Sequence, residues 1–204
     1  MFCTNSQFKE KVPVTVVGRT VEEISDPIAD AICGPNNCKP YKISSSDLVA
    51  LRGTGWLSDA IVNAAQFIIS RQFPDLCNYQ DVLLGESLTF EKRDNFIQIL
   101  HIPGHWVTVT NYGAPTNSVF LYDSLDQDIM PSVATQVMNI MSLASNTLTI
   151  HAKAVQHQEN CYDCGVFAIA NAFTIASGVD PCTVAFDKTL MRRHLISCLA
   201  DNEM

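Results

Sequence analysis

Hydrophobic and polar positions are most regular after Trp56. Ile61, Ala64, Ala65, Ile68 and Ile69 recur at helical spacing, with Ser58 as a natural cap ahead of them and Pro74 behind, predicting a helix over about 59–72. Three strands follow: Phe96 to Ile102 is apolar and β-branched, Trp106 to Thr110 alternates Val with Thr, and Val119 to Tyr122 is short and apolar. Asn111, Tyr112, Gly113, Ala114 and Pro115 turn the chain between the last two. Residues 129–143 read as a helix, with Pro131 in its first turn and Val133, Val137 and Met141 on one side. Leu148, Ile150, Ala152 and Ala154 alternate as a fourth strand. A helix from near Asp163 runs apolar through Ile175 to a Gly178 cap, and a last one over about 187–199 groups Leu190, His194, Leu195 and Cys198. The order helix, three strands, helix, strand, helix, helix predicts an α+β domain with a mixed central sheet and flanking helices.

The stretch before Ser44 is less regular. Val12, Val14 and Val16 alternate as an edge strand, Pro13 arguing against a central one, and Gly34, Pro35, Asn36 and Asn37 form a turn. Residues 1–43 are read as an N-terminal extension packed on a single domain at 44–204, since 204 residues suffice for one sizeable core. At 47% hydrophobic and 17% charged, the composition excludes a disordered chain. Thirteen Lys and Arg against 21 Asp and Glu give a net charge of −8, which offers no basic footprint for nucleic acid or an anionic membrane and suits a basic partner. With no apolar signal region and no spanning run, the chain reads as soluble and intracellular, in cytoplasm or nucleus. In such a compartment the eight cysteines, at 3, 33, 38, 77, 161, 164, 182 and 198, are expected as mostly free thiols.

The segment from Gln158 to Phe167 holds the richest chemistry. Cys164 falls at the start of a buried helix, where the partial positive charge of the terminus favours a thiolate, the nucleophilic form. Gly165 would let a substrate backbone approach, and Gln158, on the preceding loop, can aim an amide N–H at a developing oxyanion. Taken alone, Cys164 reads first as one more buried core thiol. Cys161-x-x-Cys164 also suits a redox pair or half a zinc site, for which only Cys33, Cys38 and His157 are at hand as further ligands. No cofactor is called for.

A nucleophilic cysteine needs a base. His105 follows Gly104 at the mouth of the Val-Thr strand, and Asp123 ends the next strand, where neighbouring strand ends bring it beside His105 to orient the ring. His101 is the alternative base if the strand begins four residues earlier. His151, His157 and His194 default to structural or surface roles, and Asp126 and Asp128 to solvated ones.

In order along the chain, Gly104-His105-Trp106, Tyr122-Asp123-Ser124 and Gln158-x-Asn160-x-x-Asp163-Cys164-Gly165 resemble the ubiquitin-like-protein-specific proteases, a group that includes the sentrin-specific SUMO proteases and is related to the adenovirus proteinase. Trp56-Leu57-Ser58-Asp59 is similar to that family's Trp-Leu-Asn-Asp motif, and Met191-Arg-Arg-His-Leu also resembles it. The resemblance spans about Ser44 to Leu199. It implies a papain-like cysteine protease fold with Cys164 as nucleophile, His105 as base then acid, Asp123 as its orienter and Gln158 at the oxyanion. It also implies that Trp56 and Trp106 flank a narrow channel for a Gly-Gly tail, with Asp59 helping to orient substrate. Core packing for the two tryptophans and helix-terminus stabilisation for Asp59 are the plain structural readings of the same residues.

The sequence departs from the pattern at Cys161, where the family usually has glycine. The function implied is a cysteine peptidase or isopeptidase cleaving after the Gly-Gly of a ubiquitin-like modifier (SUMO, ubiquitin or similar), with that modifier and its conjugates as partners. An acyltransferase using the same site, or a non-enzymatic modifier-binding module, is the alternative.

Overall fold

The structure is a computed structural model that describes residues 41–204 apart from 77–78 and 144–146. The expected strand at Val12 to Val16, the turn at Gly34 to Asn37 and the cysteines at 3, 33, 38 and 77 lie outside the described residues.

Helix α1 (Ser45–Arg52) opens the described chain, and α2 (Asp59–Gln72) follows. A single-turn helix, α3 (Leu84–Ser87), leads to strands β1 (Ile97–Ile102), β2 (His105–Thr110) and β3 (Ser118–Tyr122). Helix α4 (Pro131–Ile140), strand β4 (Thr149–Lys153), helix α5 (Cys164–Ala176), a 3-10 turn (Pro181–Thr183) and helix α6 (Met191–Asp201) complete the order among the described residues. The strands form one mixed sheet in the order β1-β2-β3-β4, antiparallel except for the parallel pair β3–β4.

Alternation along the strands divides the core between the two faces of the sheet. Ile97, Ile99 and Trp106 pack with Leu48, Leu51 and apolar residues of α2, α5 and α6. Leu100, Ile102, Val107, Val109, Val119 and Leu121 pack on the opposite face with Val133, Val137 and Ile140 of α4. The sheet is therefore the middle layer of an α+β sandwich, as the element order predicts.

Element ends differ from the sequence pattern for local reasons. The last helix starts at Met191 rather than near 187 because Asp187 makes a turn first: its side chain accepts from Thr189 N–H at 3.0 Å and its carbonyl from Leu190 N–H at 3.0 Å. Helix α4 stops at Ile140, since Met141 is extended and bridges to Arg93. Among the described residues, two α-helices, α1 and α3, lie where the pattern predicted none. Of these α1 carried a legible start, a capping box in which Ser44 and Asp47 bond each other's backbone N–H groups.

Candidate active site

Strand β2 and helix α5 are tied together by Thr108, whose hydroxyl donates to the carbonyl of Ala168 at 2.7 Å. From that tie, three residues back along the strand reach His105 and four back along the helix reach Cys164, spans of about 10 and 6 Å. Both side chains thus arrive at the same end of the layer, each 3% exposed. The turn Pro103-Gly104 fixes where β2 begins: Gly104 takes φ of 73°, and Ile102 pairs with His105 across it.

Asp123 directly follows β3. His105 Nε2 donates to Asp123 Oδ1 at 2.6 Å, and the same carboxylate accepts from Leu125 N–H at 2.8 Å and Gln127 N–H at 3.3 Å. Burial opposes the Asp123 charge, but the His105 bond and these backbone donors outweigh it and hold the carboxyl below its usual range. For His105, burial favours the neutral ring. The bond to Asp123 and the proximity of Cys164 outweigh that and raise the ring to about 9. With Nε2 committed to Asp123, the buried Nδ1 has no hydrogen-bond partner of ordinary geometry and is the nitrogen left to exchange a proton with Cys164.

Gln158 is buried and held from two sides. Its Oε1 accepts from the Ser124 hydroxyl at 2.6 Å, and its Nε2 donates to the carbonyl of Asn160. Its backbone N–H also donates to Ser124 O at 2.9 Å. One amide hydrogen remains for an external acceptor. Next to it, the first N–H groups of α5 have no partner within the helix, so an anion at Cys164 faces several donors. The loop between them is an Asx turn on Asn160, whose Oδ1 accepts from Tyr162 and Asp163 N–H at 3.0 and 2.9 Å.

Trp56 spans the mouth of the site. Its Nε1 donates to the carbonyl of Cys161 at 2.8 Å, and the far edge of its ring lies at Gly104. The indole is 58% exposed. Trp106, by contrast, is 6% exposed: its Nε1 donates to Leu57 O at 3.2 Å and its ring rests on His101 with centroids 4.5 Å apart. It therefore anchors from below the backbone that carries Trp56. Asp59 is the first residue of α2, behind the Ser58 cap.

Gly165 has a packing role that its position in the sequence does not announce. A Cβ there would meet the Leu57 side chain at 3.1 to 3.2 Å. The missing side chain makes room for Leu57.

His101 is engaged elsewhere, with its Nδ1 3.1 Å from Glu86 Oε1. His151, His157 and His194 are exposed, as are Asp126 and Asp128. Cys161 is an exposed free thiol and Cys164 a buried one. Among the described residues no cluster of three His, Cys, Asp or Glu is gathered to hold a metal, and no helix is long and apolar enough to cross a membrane. Sequence reasoning gave no role to Ser124, Asn160, Asp163 or Arg192. Asn160 Nδ2 donates to Asp163 Oδ2 at 2.7 Å and Arg192 Nε to Asp163 Oδ1 at 2.6 Å, so the four side chains brace the loop from behind.

No protein-family model matches this sequence, and no curated protein does. Solved structures match in fold. The C-terminal Ulp1 protease domain, in complex with Smt3, the yeast ortholog of SUMO, matches with a TM-score of 0.62 at 17% identity, over 93% of this chain and 99% of that one. The catalytic domain of the Ulp1-like SUMO protease of Chaetomium thermophilum gives 0.56 at 20% identity, over 74% of each chain. The Xanthomonas campestris effector XopD, bound to ubiquitin, gives 0.53 at 17% identity, over 72% of this chain and 92% of that one. This chain has the fold of those domains.

Proposed function

We propose that the chain is a cysteine peptidase that cleaves after the C-terminal Gly-Gly of a ubiquitin-like modifier, from a precursor or a conjugate. The observation that carries this reading is the buried 2.6 Å bond between His105 and Asp123 beside a buried Cys164 at a helix start. A binding module has no chemical need of such a set. The choice of substrate is supported by the fold shared with proteases of SUMO and with an effector bound to ubiquitin.

In this reading His105 Nδ1 takes the Cys164 proton, and the thiolate attacks the carbonyl of the terminal glycine. The tetrahedral oxyanion forms against the free Gln158 N–H and the first N–H groups of α5. His105 then returns its proton to the leaving amine, while Asp123 holds the ring and stabilises its cation. Water, deprotonated by the same ring, hydrolyses the thioester and releases the modifier acid. Trp56 covers the approach as a flat wall against which an extended tail lies. Glycine passes where a Cβ would meet the indole.

The test is a panel of whole modifiers bearing C-terminal electrophiles. Covalent capture of one, mapped to Cys164 and absent from Cys164→Ala, is the expected result. Capture of none, or capture at Cys161, would end the proposal.

A further inference from the structure

The guanidinium of Arg192, on α6, uses all its donor nitrogens on backbone and carboxylate around the site. Nε donates to Asp163 Oδ1 at 2.6 Å. Nη1 donates to the carbonyls of Ala50 and Leu51 at 2.9 and 3.3 Å, in the last turn of α1. Nη2 donates to Gly55 O and Tyr162 O, both at 2.9 Å. The group is 14% exposed and lies 5.2 Å from the Tyr162 ring centroid. An arginine this buried against one carboxylate and four carbonyls is more than a helix-surface ion pair, because each bond fixes a different piece of backbone.

Those pieces belong to opposite sides of the site. Gly55 precedes Trp56, which forms the exposed wall. Tyr162 and Asp163 precede Cys164. From Asp163 the bonding continues through Asn160 Nδ2 to the Asn160 carbonyl that receives Gln158 Nε2. One side chain from a separate helix therefore spans from the tail-binding wall to the oxyanion donor.

We propose that Arg192 is a positioning residue: it holds the Trp56 loop and the Gln158-to-Cys164 loop in the single relative placement that the reaction requires. This rests on the peptidase reading above. Arg192 touches no reacting atom. It acts by fixing the groups that do, and displacement of such groups by about 1 Å is enough to slow a reaction ~100-fold. Lysine cannot substitute, since a point charge can meet Asp163 but cannot bridge four carbonyls.

The experiment compares wild type, Arg192→Ala, Arg192→Lys and a control, Leu195→Ala, in full-length protein with a fluorogenic modifier, below the unfolding transition of each. Leu195 is buried on the same helix, and its side chain has no hydrogen-bonding group with which to tie the loops. The expected result is a kcat lowered ~100-fold in Arg192→Ala and at least ~10-fold in Arg192→Lys, with KM within ~3-fold, while Leu195→Ala loses thermal stability and keeps kcat. If Arg192→Ala does not fold, Arg192→Lys carries the comparison. Arginine variants with wild-type kcat, or a kcat loss matched by Leu195→Ala at equal loss of stability, would overturn the inference alone. A wild type that processes no modifier at all would instead end the peptidase reading, and this inference with it.

Discussion

Thr108 and Ala168 set the alignment of the site: the 2.7 Å bond between hydroxyl and carbonyl pins β2 to α5 at one register, and His105 and Cys164 stand at fixed offsets from it. Thr108→Val keeps the shape and removes the bond. It should lower stability by only about 1 kcal/mol, yet reduce kcat more than that loss implies, because a slide of α5 along β2 moves Cys164 and His105 apart. Equal, small losses in both would show that packing alone sets the register.

The His105 charge links stability to pH in a definite direction. A ring raised from 6.5 to about 9 contributes stability that is fully present below 6.5 and lost as pH rises through about 9. The melting-temperature gap between wild type and His105→Gln should therefore shrink across that window. In Cys164→Ser the ring, followed by NMR, should titrate below its wild-type value, since one of its two supports is weakened. A gap independent of pH would mean that the buried ring is neutral throughout.

Ser124 is predicted to matter through Gln158. With its hydroxyl removed, Gln158 Oε1 loses its 2.6 Å donor and the amide is free to rotate. Ser124→Ala should lower kcat ~10- to 100-fold with KM little changed, and combining it with Gln158→Ala should add little further loss. Multiplicative losses in the double mutant would separate the two residues.

The two tryptophans should behave oppositely. Trp106→Ala empties a buried site and should cost about 3–5 kcal/mol of stability. Trp56→Ala, at an indole 58% exposed, should leave the melting temperature nearly unchanged and raise KM for whole modifiers. A modifier ending in Ala-Ala should be a poor substrate for wild type, and the difference should narrow in Trp56→Ala. Unchanged selectivity would remove the wall from the recognition of the tail.

Gly165→Ala should overpack the contact with Leu57 by about 1–3 kcal/mol. Leu57→Ala in the same chain should recover part of that loss, as measured by denaturant unfolding. No recovery would place the strain elsewhere.

The strands and the main helices were legible because their periodicity is local. Ser58, Pro131 and the alternation of Val with Thr each act within a few residues. The positions of His105, Asp123 and Cys164 at element ends follow from the same local signals, together with motif order. Arg192 was not legible as a clamp: Ala50 and Asp163 lie far from it in the chain, and nothing in an Arg-Arg pair on a surface helix announces five inward bonds. Trp106 shows the reverse limit. Its neighbourhood to His105 marks it as a site residue, but burial is decided by α2 and Leu57, which only the fold brings to it. The contact of Gly165 with Leu57 is hidden for the same reason, its neighbour being more than a hundred positions away.

Among the described elements, the helix carrying Arg192 is the last to be synthesised. A ribosome that has translated through Cys164 has already made every side chain assigned to chemistry, but not the guanidinium that joins the loops bearing them. A nascent chain at that stage holds Cys164, His105 and Gln158 without the tie between their loops. On the proposed reading the tie arrives with α6, after every group that it aligns has been made.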